Sequence, residues 1–412
     1  MLIHYNIRKF TKKVVGIYNA SAVIFFVLLD GVMAFLYSIG EEHIVKKLSL
    51  LFVLMLAFSF LVSRQPVKAY PFPQNNITDF CTPLAAPSGR VVPVSTVSAL
   101  VAAVNSAVEG DTISIADGVY NMSGQTLWMD TPHISLRSAS GNRDAVVLDG
   151  NYDPSFAEII TIAASYVTIA DITIREAYTH PIHVVSTANS ASEHTLIYNV
   201  HIIDAGEQAI KINPNPGGYY TDYGVVACSH IELTDTGRSH IRNNCYTGGV
   251  DAHQSRGWII RDNRIEGFWC QQGLSEHAVH FWRASRDSLV ERNLLLNNAR
   301  GVGFGLSETG TARTYTDDPC PTASGYVDHY GGIVRNNFIT STSGALFASE
   351  YGFDCGICLW NACNARVGHN SIYTGDTAHT FSMIEWRYPN TRVTIINNLT
   401  NYNRLLARDN AI

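Results

Sequence analysis

The sequence predicts an all-β chain that folds as a parallel β-helix, a solenoid of short strands, with a short N-terminal capping helix. A pattern of β-forming residues returns at steps of about 30 residues, which is typical of repeat architectures. No helical periodicity separates the repeats, and glycine is abundant, at 31 of 412 residues. We therefore expect each turn to bury its apolar side chains against the next turn.

Each repeat has an apolar segment, one or two polar residues, an asparagine-like position and a second apolar segment, as in IIRDNRIEG and IVRNNFIT. Stacked asparagine side chains can donate and accept hydrogen bonds along a solenoid, which gives this position a physical reason. The predicted column consists of Asp171, Asn199, Ser229, Asn263, Asn293, Asn337, Asn370 and Asn397.

The two ends of the repeat differ. Residues 95–107 carry Leu100, Val101 and Val104 at helical spacing, and we predict a helix here that caps the solenoid. No equivalent cap follows Asn397. The C-terminal end is therefore expected to be ragged or covered by another chain.

The residues before the repeat divide into three segments. Residues 45–69 have Lys46 and Lys47, an apolar run and a small-residue cleavage site, which is typical of a secretory signal peptide. Residues 1–44 contain a second apolar run with Asp30 inside it, and two interpretations stay open. They are an extension from a mis-assigned start, which we favour, or part of a membrane anchor. Residues 70–93 are predicted to form a linker and residues 94–412 the β-helix domain.

Cysteine usage agrees with export to the periplasm, the medium or the cell surface. All eight cysteines follow residue 69, as expected for disulfides formed in an oxidising compartment. The repeat makes two pairs plausible, Cys245–Cys270 and Cys320–Cys355. A zinc site is disfavoured because only Cys355 and Cys358 have CxxC spacing, and no metal ligand is assigned.

The body of the chain is acidic. Residues 1–69 hold eight of the 29 basic and three of the 35 acidic residues, so the remainder has 21 basic against 32 acidic residues and a net charge of −11. Binding to nucleic acid needs a basic face, and a general nucleic-acid binder is therefore disfavoured. The same charge is the strongest objection to a polyanionic substrate, unless the binding cleft is locally positive.

Strand alternation predicts which side chains point away from the core. In the segments AIKIN, GVDAH and AVHFW, one outward column contains Lys211, Asp251 and His280, and the next contains Asn213, His253 and Trp282. Neighbours in a column should lie about 4.8 Å apart, so these side chains should form one patch. Lys211 is the only lysine after residue 68. A lysine beside other charges can act as a proton carrier.

Four further residues extend this patch along the same columns. Gly303 and Gly305 remove two outward side chains and predict a depression between Trp282 and Trp360, which would suit a sugar ring. An insertion near residues 306–330 follows this rung and could wall the cleft. Arg387 lies further along the column. Arg256, Arg283 and Arg286 follow the strands and could pair with a carboxylate.

Each feature also has a plain structural interpretation. Lys211 could be only the salt partner of Asp251, and His253 and His280 could be ordinary histidines. The tryptophans could cover a subunit contact, and the glycines could mark a tight bend. The coincidence of these features on one face is stronger evidence than any one of them.

The body resembles the right-handed parallel β-helix proteins of the pectate-lyase-like superfold. The stretch SALVAAVNSAVEGDTISIADGVYNMSG followed by HISLRSASGNRDAVVLDG is most similar to the opening of alginate lyase and chondroitinase type polysaccharide lyases. The resemblance implies a catalytic lysine and arginine, often with calcium on the uronate carboxylate, and Lys211 could take the lysine role. The family's Arg-His-Gly segment is missing. The Asp-Pro-His-Asp motif of related C5-epimerases and the paired aspartates of related hydrolases are also missing.

The leading hypothesis is an exported polysaccharide lyase or uronate C5-epimerase acting on an acidic polysaccharide. Lys211, His253 or His280 would abstract the C5 proton, with Asp251 beside them, and Arg283 would neutralise the carboxylate. Asn213, Trp282, Gly303, Gly305, Trp360 and Arg387 are the candidate substrate-binding residues. Calcium is the candidate cofactor. The alternative is a non-catalytic glycan-binding or surface β-helix protein, anchored in a membrane only if the N-terminal segment is retained.

Overall fold

The computed structural model describes residues 81–215 and 217–411. The predicted extension, the signal peptide and most of the predicted linker lie outside these residues. The helices in the described part of the chain are all too short or too polar for a membrane span.

In the described residues, three parallel sheets of 13, 10 and 10 strands form the faces of the solenoid. A typical turn contributes one strand to each sheet, and two turns contribute two short strands each to sheet 1, namely β20 with β21 and β24 with β25. Sheet 1 contains β1 (Val91–Val94), β2 (Thr112–Ile115), β5 (Ser135–Ser138), β8 (Thr168–Ala170), β11 (Leu196–Tyr198), β14 (Val225–Ala227), β17 (Ile259–Arg261), β20 (Ser285–Arg286), β21 (Leu289–Glu291), β24 (His329–Tyr330), β25 (Ile333–Arg335), β28 (Ala362–Gly368) and β31 (Arg392–Ile396). Sheet 2 contains β3 (Gly118–Asn121), β6 (Val146–Asp149), β9 (Thr173–Arg175), β12 (His201–Ile203), β15 (His230–Glu232), β18 (Arg264–Glu266), β22 (Leu294–Leu296), β26 (Phe338–Ser341), β29 (Ser371–Thr374) and β32 (Leu399–Thr400). Sheet 3 contains β4 (Leu127–Met129), β7 (Ile160–Ile162), β10 (Ile182–Val185), β13 (Gln208–Asn213), β16 (Gly248–His253), β19 (Val279–Trp282), β23 (Arg300–Phe304), β27 (Phe353–Trp360), β30 (Thr380–Arg387) and β33 (Leu405–Arg408).

The predicted parallel β-helix is therefore confirmed, and so is the predicted register of sheet 3. His183, Lys211, Asp251, His280 and Gly303 pair in sequence across neighbouring strands. The side chains on the inner face of sheet 3 form columns in the core. They are fully buried, apart from Trp386 near the C-terminal end, which is partly buried. Burial of these apolar columns supplies the main stabilising free energy of the solenoid.

The asparagine ladder is real, but the prediction merged two adjacent turn positions. The stacked side chains are those of Asn263, Asn293, Asn337, Asn370 and Asn398, with amide-to-carbonyl distances of 2.9–3.0 Å between successive members. Asp171, Asn199 and Asn397 instead occupy the preceding turn position, where φ is close to +50° to +57°. Asparagine and aspartate are favoured there too, because they tolerate the left-handed region, so the pattern did not separate the two positions.

The predicted capping helix is confirmed as α1 (Val97–Asn105). It begins at Thr96, whose hydroxyl accepts a hydrogen bond from the Ala99 amide, and it buries Leu100 and Val104 against the first turn. Two short helices, α2 (Asp235–Arg238) and α3 (Gly344–Phe347), lie in connections between sheets 2 and 3. At the other end, Ile396, Leu399 and Leu405 are exposed.

All eight cysteines form disulfides, and one of the two predicted pairs is correct. Cys245–Cys270 is confirmed, whereas Cys320 pairs with Cys363 and Cys355 pairs with Cys358. Cys320 lies in the insertion after β23, which folds toward β28, so Cys363 meets it instead of Cys355. The fourth disulfide joins Cys81 to Cys228. Four disulfides are typical of exported proteins.

Candidate functional site

The candidate site lies on the outward face of sheet 3, where β13, β16 and β19 run side by side. Lys211 of β13 pairs with Asp251 of β16, and His253 at the end of β16 pairs with Trp282 of β19. A fifth residue, Tyr246, reaches the same place from the segment between α2 and β16. These five residues are called the Lys211 cluster below.

The ammonium group of Lys211 lies at the centre of this cluster. Its Nζ atom forms an ion pair with Oδ2 of Asp251 and lies 2.9 Å from the Tyr246 hydroxyl and 3.0 Å from Nε2 of His253. The other carboxylate oxygen of Asp251 accepts a hydrogen bond of 2.8 Å from Nε1 of Trp282. An ammonium group has three N–H donors, of which Asp251 and the Tyr246 hydroxyl accept two. Nε2 of His253, which also lies 3.2 Å from Oδ2 of Asp251, accepts the third in the tautomer that carries its hydrogen on Nδ1.

Burial and charge decide the protonation states of the cluster. Burial disfavours both charges of the ion pair, but the mutual attraction outweighs it. Asp251 raises the pKa of Lys211, and Lys211 holds the pKa of Asp251 well below its usual range. Burial lowers the pKa of His253 and raises the pKa of Tyr246 to about 12. At neutral pH the cluster therefore combines a lysine cation, an aspartate anion, a neutral imidazole and a neutral phenol.

The side chains of the outward columns are more deeply buried than the sequence predicts. The Lys211 side chain is 9% exposed and that of His253 is 12% exposed, whereas His280 is completely buried. His280 was predicted as a candidate base. The structure contradicts direct contact with a polymer, because its ring lies behind Trp282 and its Nδ1 atom lies 2.8 Å from Oε2 of Glu276.

The predicted depression at Gly303 and Gly305 is absent. The His277 ring occupies the space outside Gly303, where an added Cβ atom would come within 2.6 Å of it. Gly305 has φ near +75°, and an added Cβ atom would overlap the Trp360 carbonyl oxygen. Both glycines therefore permit close packing. Trp360 is 3% exposed, so its ring offers no open surface to a sugar.

Of the three predicted arginines, Arg283 is the one whose guanidinium group forms no ion pair with another described residue. It is exposed and lies over the Trp282 ring, 4.9 Å from the ring centre, at the edge of the Lys211 cluster. Arg286 pairs with Asp317, and Arg256 lies 3.4 Å from Asp287. A free cation beside the cluster can attract a carboxylate despite the acidic body.

The insertion after β23 folds along the turns that follow sheet 3. Arg313 of this insertion pairs with Asp222 and donates to the carbonyl oxygen of Gln254, directly after His253. The Tyr315 hydroxyl donates to the carbonyl oxygen of Ala284. The insertion therefore lies beside the edge of the cluster that His253 and Trp282 form. This is the position expected for the wall of the predicted cleft.

Asn213 and Arg387 lie apart from the centre of the cluster. The Asn213 side chain is bonded to His183, with 2.8 Å between Oδ1 and Nε2. Arg387 pairs with Asp409 and lies on β30, three strands beyond Trp282 in the order of sheet 3. About 14 Å separates positions three strands apart, so Arg387 could meet only a distant unit of a long ligand.

Tyr246 was missed by the sequence analysis because it belongs to an irregular segment outside the repeat. The one available signal was its place directly after Cys245. The Cys245–Cys270 disulfide joins the segment before β16 to the one before β19. Glu276 and His277 lie in the loop before β19, outside the repeat pattern, and nothing in the sequence assigns them a role.

Two cavities of the described residues lie elsewhere on the surface. One of about 510 Å³ is bounded by Cys81, Thr82 and turns between sheets 1 and 2, and one of about 430 Å³ lies between the insertion and Ala284. The Lys211 cluster lines neither of these cavities and lies on the outer face of sheet 3.

Two groups of side chains in the described residues have the composition and spacing of metal ligands. The first consists of His201, His230 and Glu232 on sheet 2, and the second of Glu276, His277 and His280 beneath the Lys211 cluster. Calcium prefers oxygen ligands, and each group contains two histidines, so neither matches a calcium site.

Comparisons with solved structures agree with this architecture. The chain is similar to an alginate lyase from Paenibacillus sp. str. FPU-7, with a TM-score of 0.55, 13% identity and coverage of 78% of this chain and 99% of the other. It is also similar to a polygalacturonase from Erwinia carotovora ssp. carotovora, with a TM-score of 0.52, 12% identity and coverage of 80% of this chain and 98% of the other. A third similar structure is a tailspike protein mutant of E. coli bacteriophage HK620 in complex with a pentasaccharide. Its TM-score is 0.51 at 12% identity, and the match covers 80% of this chain and 57% of the other.

At these identities the likeness shows a shared fold. No protein-family model matches the sequence. The comparison with curated proteins gives no match.

Proposed function

We propose that this protein is an exported polysaccharide lyase or uronate C5-epimerase that acts on an acidic glycan. The observation that carries the proposal is the Lys211 cluster. It combines a lysine cation, a neutral imidazole and a neutral phenol within hydrogen-bonding distance on an extended outer face. The exposed guanidinium group of Arg283 lies at the edge of this cluster.

The chemistry requires removal of a proton from C5 of a uronate residue. This proton is weakly acidic because the negative charge left behind spreads into the neighbouring carboxylate. A cation beside the carboxylate stabilises that charge, and we assign this role to Arg283. In a lyase the C5–H electrons form the C4–C5 double bond, the C4–O bond breaks and the leaving oxygen takes a proton. In an epimerase C5 receives a proton on its opposite face.

The protonation states favour a division of roles within the cluster. His253 is neutral and partly exposed, so its Nε2 atom is the assigned proton acceptor once substrate displaces the Lys211 hydrogen bond. Lys211 is protonated and can return a proton to the leaving oxygen, and Tyr246 is a second donor. Asp251 keeps Lys211 charged and oriented. His280 has no role in substrate contact in this proposal; its buried ring packs against Trp282, with 3.5 Å between Nδ1 and Oδ1 of Asp251.

The ligands of the fold relatives support a glycan partner. One relative is an alginate lyase, and another was solved in complex with a pentasaccharide. Trp282 is partly exposed beside Arg283, so its ring and this guanidinium group could together contact a sugar, whereas Trp360 is buried.

The test is the ultraviolet absorbance of the unsaturated sugar end that β-elimination creates. The purified protein is incubated with a panel of uronic-acid polysaccharides, with and without calcium. We expect absorbance to rise for wild type and to fall at least 100-fold in rate for His253→Gln and Tyr246→Phe. His201→Gln, a histidine variant on sheet 2, should keep the wild-type rate. Equal rates in all variants would refute the assignment.

A non-catalytic glycan-binding protein is the second candidate. The observation that favours it is the burial of Lys211, whose three N–H donors are already occupied. This function predicts binding of a uronate polymer without any product. It also predicts that binding weakens when Arg283 is replaced but survives in His253→Gln. Isothermal titration calorimetry on the same panel separates the two candidates.

A further inference from the structure

We propose that Glu276, His277 and His280 form a binding site for a divalent transition-metal ion, with zinc as the best match. The three side chains belong to the loop before β19 and to β19 itself, and their ligand atoms all lie within 4.8 Å of one another. Two imidazoles and one carboxylate are a common set of zinc ligands. This inference does not depend on the proposed glycan chemistry.

The strongest evidence is a group of buried polar atoms without hydrogen-bond partners. They are Oε2 of Glu276, Nδ1 and Nε2 of His277 and Nδ1 of His280. Both histidines are completely buried. Oε2 of Glu276 and Nδ1 of His280 lie 2.8 Å apart and can pair with each other when the ring is protonated, but both nitrogen atoms of His277 lack a partner. A buried polar atom without a partner costs about 1–3 kcal/mol, so the two nitrogen atoms of His277 need an explanation. A metal ion would bind one of them together with Oε2 of Glu276 and Nδ1 of His280.

The hydrogen bonding of His280 determines which of its nitrogen atoms is free. Its Nε2 atom lies 3.2 Å from the carbonyl oxygen of Gly305, which can only accept, so Nε2 carries the hydrogen. In the neutral ring the Nδ1 lone pair then points toward Glu276. Two lone pairs repel each other, and either a proton on Nδ1 or a metal ion bound by both atoms removes that repulsion.

The distances fit a small tetrahedral ion. Oε2 of Glu276 lies 2.8 Å from Nδ1 of His280 and 3.7 Å from Nδ1 of His277. Zinc bonds of about 2.0–2.1 Å in tetrahedral geometry separate ligand atoms by about 3.3 Å. The observed separations lie on either side of that value, so small side-chain rotations would complete the geometry.

A simple ion pair between Glu276 and a protonated His280 explains less. It would satisfy one nitrogen atom of His280 but leave both nitrogen atoms of His277 without partners. The sheet 2 group provides a contrast. There His201 and His230 each have a carboxylate within 2.8 Å of Nε2, namely those of Glu232 and Glu266. No metal is needed to satisfy that group, and none is proposed for it.

The experiment measures metal binding to the full chain without reference to activity. The protein is treated with a chelator, dialysed against Zn²⁺ or Co²⁺, and analysed for metal content and for the visible absorption of tetrahedral Co²⁺. We expect one tightly bound ion per chain and a melting temperature that is higher with Zn²⁺ than with chelator. His277→Gln and Glu276→Gln should each weaken binding at least tenfold, and His201→Gln should leave it unchanged.

Two results would overturn the proposal. One is a folded wild-type protein that binds no stoichiometric metal and melts at the same temperature with Zn²⁺ and with chelator. The other is binding that survives in both Glu276→Gln and His277→Gln but is lost in His201→Gln. Glu276 is partly exposed, so its variant provides a test even if a variant of a fully buried histidine does not fold.

Discussion

The buried ion pair of Lys211 and Asp251 is the main electrostatic feature of the site. The two side chains are 9% and 1% exposed, so both charges have lost most of their hydration. The Tyr246 hydroxyl, the His253 imidazole and the Trp282 indole N–H replace part of it. Each charge therefore depends on the other, because an isolated charge at this depth would be strongly unfavourable.

This dependence predicts strong coupling between the two residues. Lys211→Met leaves Asp251 charged and buried, and should lower the free energy of unfolding by about 3–5 kcal/mol. The double variant Lys211→Met/Asp251→Asn removes both charges, while the amide oxygen introduced by the second substitution can still accept from the Trp282 indole, so much of the loss should be recovered. Urea unfolding of wild type, both single variants and the double variant measures the coupling. Additive losses would contradict it.

His180 should make stability depend on pH. Burial lowers its pKa to about 4, helped by the nearby positive groups, and its Nδ1–H donates to the carbonyl oxygen of Gln208. The charged or titratable groups facing it are those of Glu158, His183, Glu207 and Lys211. Between pH 6.5 and 4 the unfolded chain binds more protons at this residue than the folded chain does. The free energy of unfolding should therefore fall as the pH is lowered through this range.

The contribution of His180 to that loss is roughly 2–3 kcal/mol. His180→Asn keeps a donor for the Gln208 carbonyl but cannot take up a proton. Denaturant unfolding at pH 7, 5.5 and 4 should show a smaller loss for the variant than for wild type. Identical pH dependence in the two proteins would show that His180 titrates normally.

Part of the candidate site could be predicted from the sequence, and part could not. Lys211, Asp251 and His253 could be brought together from strand register alone, because alternation and the 4.8 Å strand spacing are regular. Tyr246 and Glu276 come from irregular loops, whose paths no period describes. The same loops cover the outward column, so the burial of His280 and the filling of the Gly303 space could not be predicted.

At the scale of the secondary-structure elements, the asparagine ladder ties successive turns together. Asn293 donates to the carbonyl oxygen of Ile260 at 2.8 Å and to the Asn337 side chain at 3.0 Å, while its Oδ1 atom accepts from Asn263. These bonds are buried, so their loss is not compensated by water. The ladder was visible in the sequence, but the choice between two adjacent turn positions depended on φ, which the pattern does not report.

Asn293→Ala should therefore be strongly destabilising. It leaves several buried backbone and amide groups without partners, and we expect the free energy of unfolding to fall by about 2–4 kcal/mol. Asn189→Ala is the matched control, since Asn189 is exposed and should change stability by less than about 0.5 kcal/mol. Chemical denaturation of both variants measures the difference. Equal stabilities would mean that the ladder contributes little.

At the scale of the whole molecule, the disulfides differ in how much chain they enclose. Cys81–Cys228 spans 147 residues, whereas Cys245–Cys270 spans 25. Closing the longer loop restricts the unfolded chain more, by roughly 1.5 kcal/mol in a simple loop-entropy treatment. Replacing Cys81 and Cys228 by alanine should therefore lower stability more than replacing Cys245 and Cys270. Thermal unfolding of the two double variants compares them, and the reverse order would indicate that local packing dominates.

The repeat period was sufficient to predict the whole architecture, because a solenoid is built from contacts between neighbouring turns only. The disulfide between Cys320 and Cys363 was not predicted, because it depends on the course of a long insertion. Function is less accessible than fold, since the same β-helix occurs in a lyase, a polygalacturonase and a tailspike protein. The assignment therefore has to come from the Lys211 cluster itself.

The most direct measurement is proton nuclear magnetic resonance of a uronic-acid polysaccharide in D₂O with the purified protein. Both a lyase and an epimerase must break the C5–H bond, so the C5 proton signal should decline with wild type and with His201→Gln, and persist with His253→Gln. A C5 signal that stays constant across the panel, for a polymer that the protein demonstrably binds, would contradict proton abstraction by the Lys211 cluster.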